Sequence, residues 1–314
     1  MKVLMINDCA FVGETILKYL PESFERIHIK RSRRLWSKTL GIAFKILISK
    51  GDVYHANYLL QDCYVALKLR KRPLVGHAHG SDLRDNLKNS LWKKIVQYNL
   101  KKCDKVLVST PDILKFARRY RKDAEYIPNP VDMQLFYPKP LPERGKKLKI
   151  LIAGSSDWTL KGTDIAIRAL NKIKDKVEVS IINYGKDFEK TISLAESLGL
   201  DVHPLPKIPH EEIRKYYWRS DIVMDRFKLG SLGMVSLEAI ASGRPVVTYV
   251  SSEYEEYEDF PLKDVDTEEK IIEAISNATP DLWKEQCEYL KKNHDPEKIA
   301  NRIREIYETL KNVP

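Results

Sequence analysis

Apolar residues along this chain form short continuous runs, and between the runs they recur every three or four positions. The runs at 3–6, 53–54, 74–77 and 105–109 predict strands buried in a parallel sheet, and the intervening stretches 15–19, 58–69, 90–101 and 110–121 predict helices. Pro111 sits in the first turn of the last of these, where its missing N–H costs nothing. A second series starts with a strand at 149–153 and continues through helix 163–174, strand 177–182, helix 191–198, helix 211–218 and strand 222–224. The stretch 230–250 then reads as a glycine-bearing loop, a helix stopped by Gly243 and Pro245, and a strand at 246–250. Between the two series, residues 126–142 are dense in proline and predict an extended, stiff linker. At the end, Ile299, Ile303 and Ile306 fall at helical spacing. The pattern is that of an α/β protein with two Rossmann-like domains, expected at 1–143 and 144–314, with a last helix at about 296–312.

A length of 314 residues, 43% hydrophobic and 31% charged, suits two cores of ordinary size. No apolar run approaches a membrane span, and the first residues read as a strand rather than a signal peptide. Cys9, Cys63, Cys103 and Cys287 are scattered, which argues against a cysteine-based metal site and for a reducing, cytoplasmic setting. Charge changes the picture more. Residues 1–140 carry 27 Lys and Arg against 13 Asp and Glu, a balance of +14, while residues 141–314 stand at −4. The first domain is therefore expected to meet something anionic. Its densest stretch, 30–50, mixes Lys30, Arg31, Arg33, Arg34, Lys38, Lys45 and Lys50 with Trp36 and Phe44. That composition suits peripheral contact with an anionic membrane surface at its inner face. The alternative is a Rossmann helix that spends Leu40, Ile42, Phe44, Leu47 and Ile48 on the core. Nucleic-acid-binding motifs are absent.

Candidate chemistry gathers in loops that follow strands. Gly230 and Gly233 allow close backbone approach, and the helix after them starts with free N–H groups, a ready site for phosphate around Gly233, Met234 and Val235. Glu238, among apolar neighbours, needs a partner, and a ribose hydroxyl would serve. In the loop 153–164, Gly154 permits approach and Lys161 offers a point charge to a diphosphate. Arg226, after strand 222–224, is a second candidate cation, with pairing to an aspartate as the alternative. The first turn, at Gly13, has a single glycine, which disfavours a nicotinamide cofactor. His77 and His79 are expected to point to opposite sides of the extended chain and so not to share a metal ion. Arg84 is expected to pair with Asp82 or Asp85. Asp264-Val265-Asp266 reads as a solvated acidic turn, and no metal site is expected.

The run Glu238-Ala239-Ile240-Ala241-Ser242-Gly243-Arg244-Pro245-Val246 resembles the donor-site signature of the retaining GT-B glycosyltransferases of family 4, the glycosyl transferases of group 1. Lys161-Gly162-Thr163-Asp164 resembles the family's diphosphate loop, residues 127–138 the segment that ends its N-terminal domain, and His79-Gly80 its histidine in the cleft. Two positions depart from the pattern. The first glutamate of the signature falls at Gly230, and Ser155 or Trp158 stands where the loop carries arginine. The resemblance implies two domains facing across a cleft, a final helix crossing back to the first domain, and metal-independent hexosyl transfer with no permanently bound cofactor. The donor is then a nucleotide-sugar and the acceptor a glycan or lipid-linked sugar. By the same resemblance, His79 is catalytic. Lys161, Gly154, Gly233, Met234, Val235 and Arg226 face the donor diphosphate, and Glu238 the ribose. Lys207 and Ile208 face the base, and Gly13 the acceptor side. The two departures keep other readings open: a nucleotide- or phosphosugar-binding protein, a partner subunit, or a sugar-nucleotide epimerase.

Overall fold

The computed structural model describes residues 1–31, 41–86, 90–143 and 145–312. The chain divides into two compact units, Met1–Pro130 with His294–Pro314, and Val131–Asn293.

The first unit runs β1 (Lys2–Ile6), α1 (Val12–Tyr19), β2 (Glu25–Ile29), α2 (Ile42–Ile48), β3 (Val53–Asn57), α3 (Gln61–Lys68), β4 (Leu74–Ala78), α4 (Ser81–Arg84), α5 (Ser90–Lys102), β5 (Lys105–Val108), α6 (Pro111–Arg118) and β6 (Glu125–Tyr126). Its strands form one parallel sheet in the order β2-β1-β3-β4-β5-β6. Helices cover both faces, so Val3, Leu4, Met5 and Ile6 are all inaccessible, as a continuous apolar run requires. Strand β2 is absent from the sequence expectation. It lies at the sheet edge and alternates Arg26 and His28 with Ile27 and Ile29, so no continuous run announces it.

The second unit runs β7 (Leu148–Ile152), α7 (Thr163–Asn171), β8 (Val177–Ile182), α8 (Phe188–Leu198), β9 (Val202–Leu205), α9 (His210–Tyr217), β10 (Ile222–Met224), α10 (Met234–Ala241), β11 (Val246–Val247), α11 (Glu268–Ser276) and α12 (Pro280–Asn293). Its parallel sheet has the order β11-β10-β7-β8-β9. Strand β9, like β2, is absent from the sequence expectation, because Pro204 interrupts the run. Pro204 is tolerated there because β9 is the edge. The strand expected at 246–250 stops after Val247. Beyond it, Thr248 Oγ1 and the Tyr249 N–H both donate to the Arg226 carbonyl, at 3.0 and 2.7 Å, which draws the chain off the ladder.

The proline-dense segment is not a free spacer. Val131 and Phe136 are buried in the core of the second unit. Buried Arg244 donates to the carbonyls of Lys139, Pro140, Tyr217 and Trp218 at 2.8–3.0 Å, and burial pulls its guanidinium down to about 10. The last helix, α13 (Pro296–Lys311), returns to the first unit. The Asp295 carboxylate caps it through Lys298 N–H, and it buries Ile299, Ile303 and Tyr307.

Candidate active site

In the second sheet the chain order reverses between β7 and β10. Loops leaving adjacent strands there run in opposite directions, the arrangement at which open α/β sheets form a crevice beyond their carboxyl ends. Gly154 follows β7, and Asp225 and Arg226 follow β10. The Asp225 side chain is wholly enclosed and sits among three donors: Lys161 Nζ at 2.9 Å from Oδ1, with Ser236 Oγ at 3.0 Å and Arg226 Nε at 3.3 Å from Oδ2. Burial pushes its carboxyl up, but the Lys161 and Arg226 charges win and hold it well below the usual range.

Two glycines make this cluster possible. A Cβ on Gly154 would lie 2.7 Å from Asp225 Oδ1, and one on Gly233 would lie 2.1 Å from Arg226 Nη2. Gly233 also precedes α10, and no side chain caps that end, so the first-turn N–H groups of Met234 and Val235 add positive potential. Two cations, one carboxylate and a helix start leave the crevice net positive. Of the two expectations for Arg226, the pairing with an aspartate is present, to Asp225.

Farther along α10, Glu238 is buried. Its Oε1 accepts from His210 Nε2 at 2.7 Å and its Oε2 from the Tyr217 hydroxyl at 3.3 Å. Burial raises its carboxyl, with His210 opposing. Burial and the neighbouring Glu238 likewise keep Tyr217 a protonated donor. Lys207 and Ile208 leave the end of β9, away from the Asp225 cluster. Lys207 Nζ lies 4.7 Å from the ring centre of Tyr184, an exposed aromatic at the end of β8. Gly185 beside it adopts φ 120°, and its backbone packs directly on Ser156, where a Cβ would lie 2.3 Å from the carbonyl oxygen.

In the first unit, His79 follows β4. Its Nε2 lies 2.9 Å from Asn57 Oδ1, while the Asn57 amide nitrogen donates to the Asn7 carbonyl at 3.1 Å. The amide oxygen therefore accepts, and His79 carries its proton on Nε2. His79 Nδ1 is enclosed without a hydrogen-bond partner, as is His77 Nε2. The two rings lie 4.2 Å apart, so the expectation that they point to opposite sides is wrong. Positions i and i+2 of an extended chain share a face. The line of rings continues inward: His77 Nδ1 lies 3.2 Å from His55 Nε2, and His55 Nδ1 2.6 Å from the Tyr307 hydroxyl of α13.

Arg84 pairs with Asp112, not with Asp82 or Asp85. Asp82 is buried and accepts instead from the N–H groups of Leu59, Gly80 and His79 at 3.0–3.2 Å. Gly13 lies at the start of α1, and its N–H donates to Asp8 Oδ1 at 2.9 Å, so a carboxylate of the chain already occupies that helix start. A side chain there would strike Asn57 Nδ2 at 2.7 Å. Asp264 accepts from Ser252 N–H and Asp266 pairs with Lys270. Among the described residues, no group of three or more His, Cys, Asp or Glu is placed to hold a metal, and no helix is long and apolar enough to cross a membrane.

The sequence reading missed Ser236, His210, Tyr217, Tyr184, Asn57 and Asp8 as site neighbours. None of them announces itself locally: Asn57, for one, ends a fully buried strand and meets its partner His79 only across the sheet.

Comparison with known proteins covers both units. The family model for Glycosyltransferase Family 4 matches residues 12–135, and that for Glycosyl transferases group 1 matches residues 134–259. No curated protein matches the sequence. Sucrose-phosphate synthase from Thermosynechococcus elongatus is 17% identical, with 99% of each chain covered and a TM-score of 0.75. HepE from Anabaena, solved with UDP-glucose, is 16% identical, with 99% of this chain and 100% of that one covered and a TM-score of 0.76. The lipopolysaccharide outer core galactosyltransferase WaaB is 16% identical over 99% and 100%, with a TM-score of 0.67. Likeness at these identities establishes the fold, and the two family models, one on each unit, establish the rest: the chain belongs to the group 1, family 4-like glycosyltransferases of the GT-B fold.

Proposed function

We propose that this glycosyltransferase moves a hexosyl group from a nucleotide-sugar to an acceptor hydroxyl with retention of configuration. The net-positive crevice at the β7/β10 reversal carries this reading. Lys161, Arg226 and the N–H groups of Met234 and Val235 hold the diphosphate and stabilise its charge as it leaves. Gly154 and Gly233 let it approach. These fixed positive groups supply the charge that a metal ion would otherwise bring, which is the basis for metal-independent transfer. Glu238 takes ribose hydroxyls, yielding its longer bond to Tyr217 while His210 orients the carboxylate. Lys207 and Ile208 receive the base beside Tyr184. On the acceptor side, His79 acts as a neutral ring fixed by Asn57, and Gly13 packs against that same Asn57. Retention is supported by the likeness of 238–246 to the donor signature of retaining enzymes.

Gly230 favours a second reading. It adopts φ 60°, and a Cβ would lie 2.9 Å from the Ser251 Cβ, so this backbone has no place for the signature's first glutamate. A nucleotide-binding protein without transfer, or an epimerase, would share the crevice. A thermal-shift screen of UDP-, GDP- and ADP-sugars on wild type and Glu238→Gln, with product analysis, decides between them. One base class should raise Tm by several degrees in wild type and by clearly less in Glu238→Gln, with sugar appearing on an added acceptor. Stabilisation without transfer favours the binding protein, turnover without acceptor the epimerase, and equal shifts in both proteins remove Glu238 from the ribose.

Peripheral membrane contact is proposed for α2. Ile42 and Ile46 face the core, whereas Phe44, Leu47 and Ile48 are 53–60% exposed beside Lys45 and Lys50. Of the basic stretch, residues 32–40 lie outside the described residues. Sedimentation with phosphatidylcholine vesicles containing phosphatidylglycerol should capture the wild type, and Phe44→Ser with Ile48→Ser should cut the bound fraction severalfold. Sedimentation indifferent to the anionic lipid would dismiss this surface.

A further inference from the structure

A cavity of about 370 Å³ lies over the amino-terminal halves of β7, β8 and β9, lined in part by Lys149, Glu178, Ser180, His203, Tyr216 and Arg219. Lys149 stands about 10 Å before the carboxyl end of β7, and none of the six belongs to the donor crevice. Strand alternation makes the cavity. Val177, Val179 and Ile181 of β8 enter the core on one face of the sheet, so Glu178 and Ser180 stand on the other. On that second face the core of Leu151, Ile213, Tyr217 and Val223 stops short of the first halves of β8 and β9, which leaves Glu178 and His203 exposed. The register sets Lys149 opposite Glu178 and Ser180 opposite His203, and the end of α9 brings Tyr216 and Arg219 to the same cavity. We propose that this cavity is a second ligand site, and that it takes a small phosphomonoester of a sugar or polyol.

Unspent charge in the wall sets the ligand class. Among the described residues, the side chains of Lys149, Arg219 and Glu178 form no ion pair, although Lys149 and Glu178 face each other across adjacent strands. Elsewhere in this unit exposed lysines do pair, Lys172 with Glu268 and Glu269, and Lys215 with Glu212. Two cations against one carboxylate leave the cavity net positive, and the phosphate of a monoester gains most from Lys149 and Arg219 together. A zwitterion such as an amino acid brings no net charge to match. The remaining groups suit hydroxyls: the Glu178 carboxylate accepts, the His203 ring offers an N–H, and the Ser180 and Tyr216 hydroxyls do either. A nucleotide fits less well. The Arg219 guanidinium lies 5.9 Å from the Tyr216 ring centre, on aromatic surface where a base would stack. The volume is near the small end for ligand pockets and holds one sugar phosphate.

Calorimetric titration of the full chain tests this with D-glucose 6-phosphate and glycerol 1-phosphate as probes, and inorganic phosphate, D-glucose and L-serine as controls. At least one ester should bind wild type about tenfold or more tighter than every control, and about tenfold or more weaker to both Lys149→Met and Arg219→Gln, the loss of one charge-assisted contact. Arg226→Gln, in the donor crevice, should leave that affinity unchanged. The urea midpoints of Lys149→Met and Arg219→Gln should match wild type, because neither side chain holds an ion pair, and if one variant fails to fold the other decides. No binding of either ester, a control that binds equally well, affinity undiminished in the cavity variants, or a loss confined to Arg226→Gln would overturn the proposal.

Discussion

Lys161→Met is expected to lower sugar transfer by about 100- to 1,000-fold, the usual loss when one preorganised group facing developing charge is removed. It should also destabilise the fold, because Asp225 is fully enclosed and loses its nearest counter-charge. Stranding a buried charge costs about 3–5 kcal/mol, and Arg226 and Ser236 should keep the loss toward the lower end. The two effects separate in the double variant Lys161→Met with Asp225→Asn. Neutralising both partners should restore most of the urea midpoint and none of the activity. If the double variant recovers transfer along with stability, Lys161 is only the neighbour of Asp225. The contribution of Asp225 to stability should be flat across neutral pH. A carboxyl held below its ordinary value stabilises the fold at every pH above the ordinary aspartate range, and loses that contribution only as pH falls toward its folded value.

Mild acid should act on the first unit, and with the opposite kind of group. Burial holds His77 down to about 3 and His294 to about 4, and keeps His55 and His79 well below the ordinary histidine range, with neighbouring rings adding to the effect. Each is neutral in the folded chain, whereas an unfolded histidine gains its proton near pH 6.5. The unfolded state therefore binds more protons below that point, and stability is lost as pH falls from about 6.5 toward the folded values. At about 1.4 kcal/mol per pH unit, His77 and His294 together should cost on the order of 4 kcal/mol near pH 5. Hydrogen exchange, corrected for intrinsic rates, should show protection in β3, β4 and α13 falling from about pH 7 to about pH 5. His77→Gln should flatten that dependence by about one proton. Equal protection at both pH values would show that these rings are not held neutral by the fold.

The residues legible from sequence are those whose chemistry is local. Gly233, Lys161 and Glu238 stand out because a glycine before a helix, a lysine in a loop after a strand and a carboxylate on an apolar helix each need an explanation within a few residues. The importance of Asp225 depends on something else. It becomes the centre of the site only because β10 lies beside β7 in the sheet, and strand order is set by contacts tens of residues apart. Asn57 and His55 were missed for a related reason. They are polar positions in a fully buried strand, and their partners, His79 and Tyr307, come from β4 and from a helix 252 residues away from His55. The error over His77 and His79 was one of strand parity and could have been avoided from the sequence alone. Edge strands were hidden because half-exposed β2 and proline-containing β9 lack the apolar run that marks the central strands.

The central claim is that the β7/β10 reversal binds the diphosphate of the donor, and calorimetric titration of the nucleoside diphosphate whose base the thermal-shift screen selects, against its nucleoside, tests it most directly. The diphosphate should bind wild type at least about 100-fold more tightly than the nucleoside, the difference being the charge met by Lys161, Arg226 and the start of α10. That advantage should shrink by at least about tenfold in Lys161→Met while nucleoside binding stays the same. Equal affinities for the nucleoside and its diphosphate, or a diphosphate advantage undiminished in Lys161→Met, would contradict this reading.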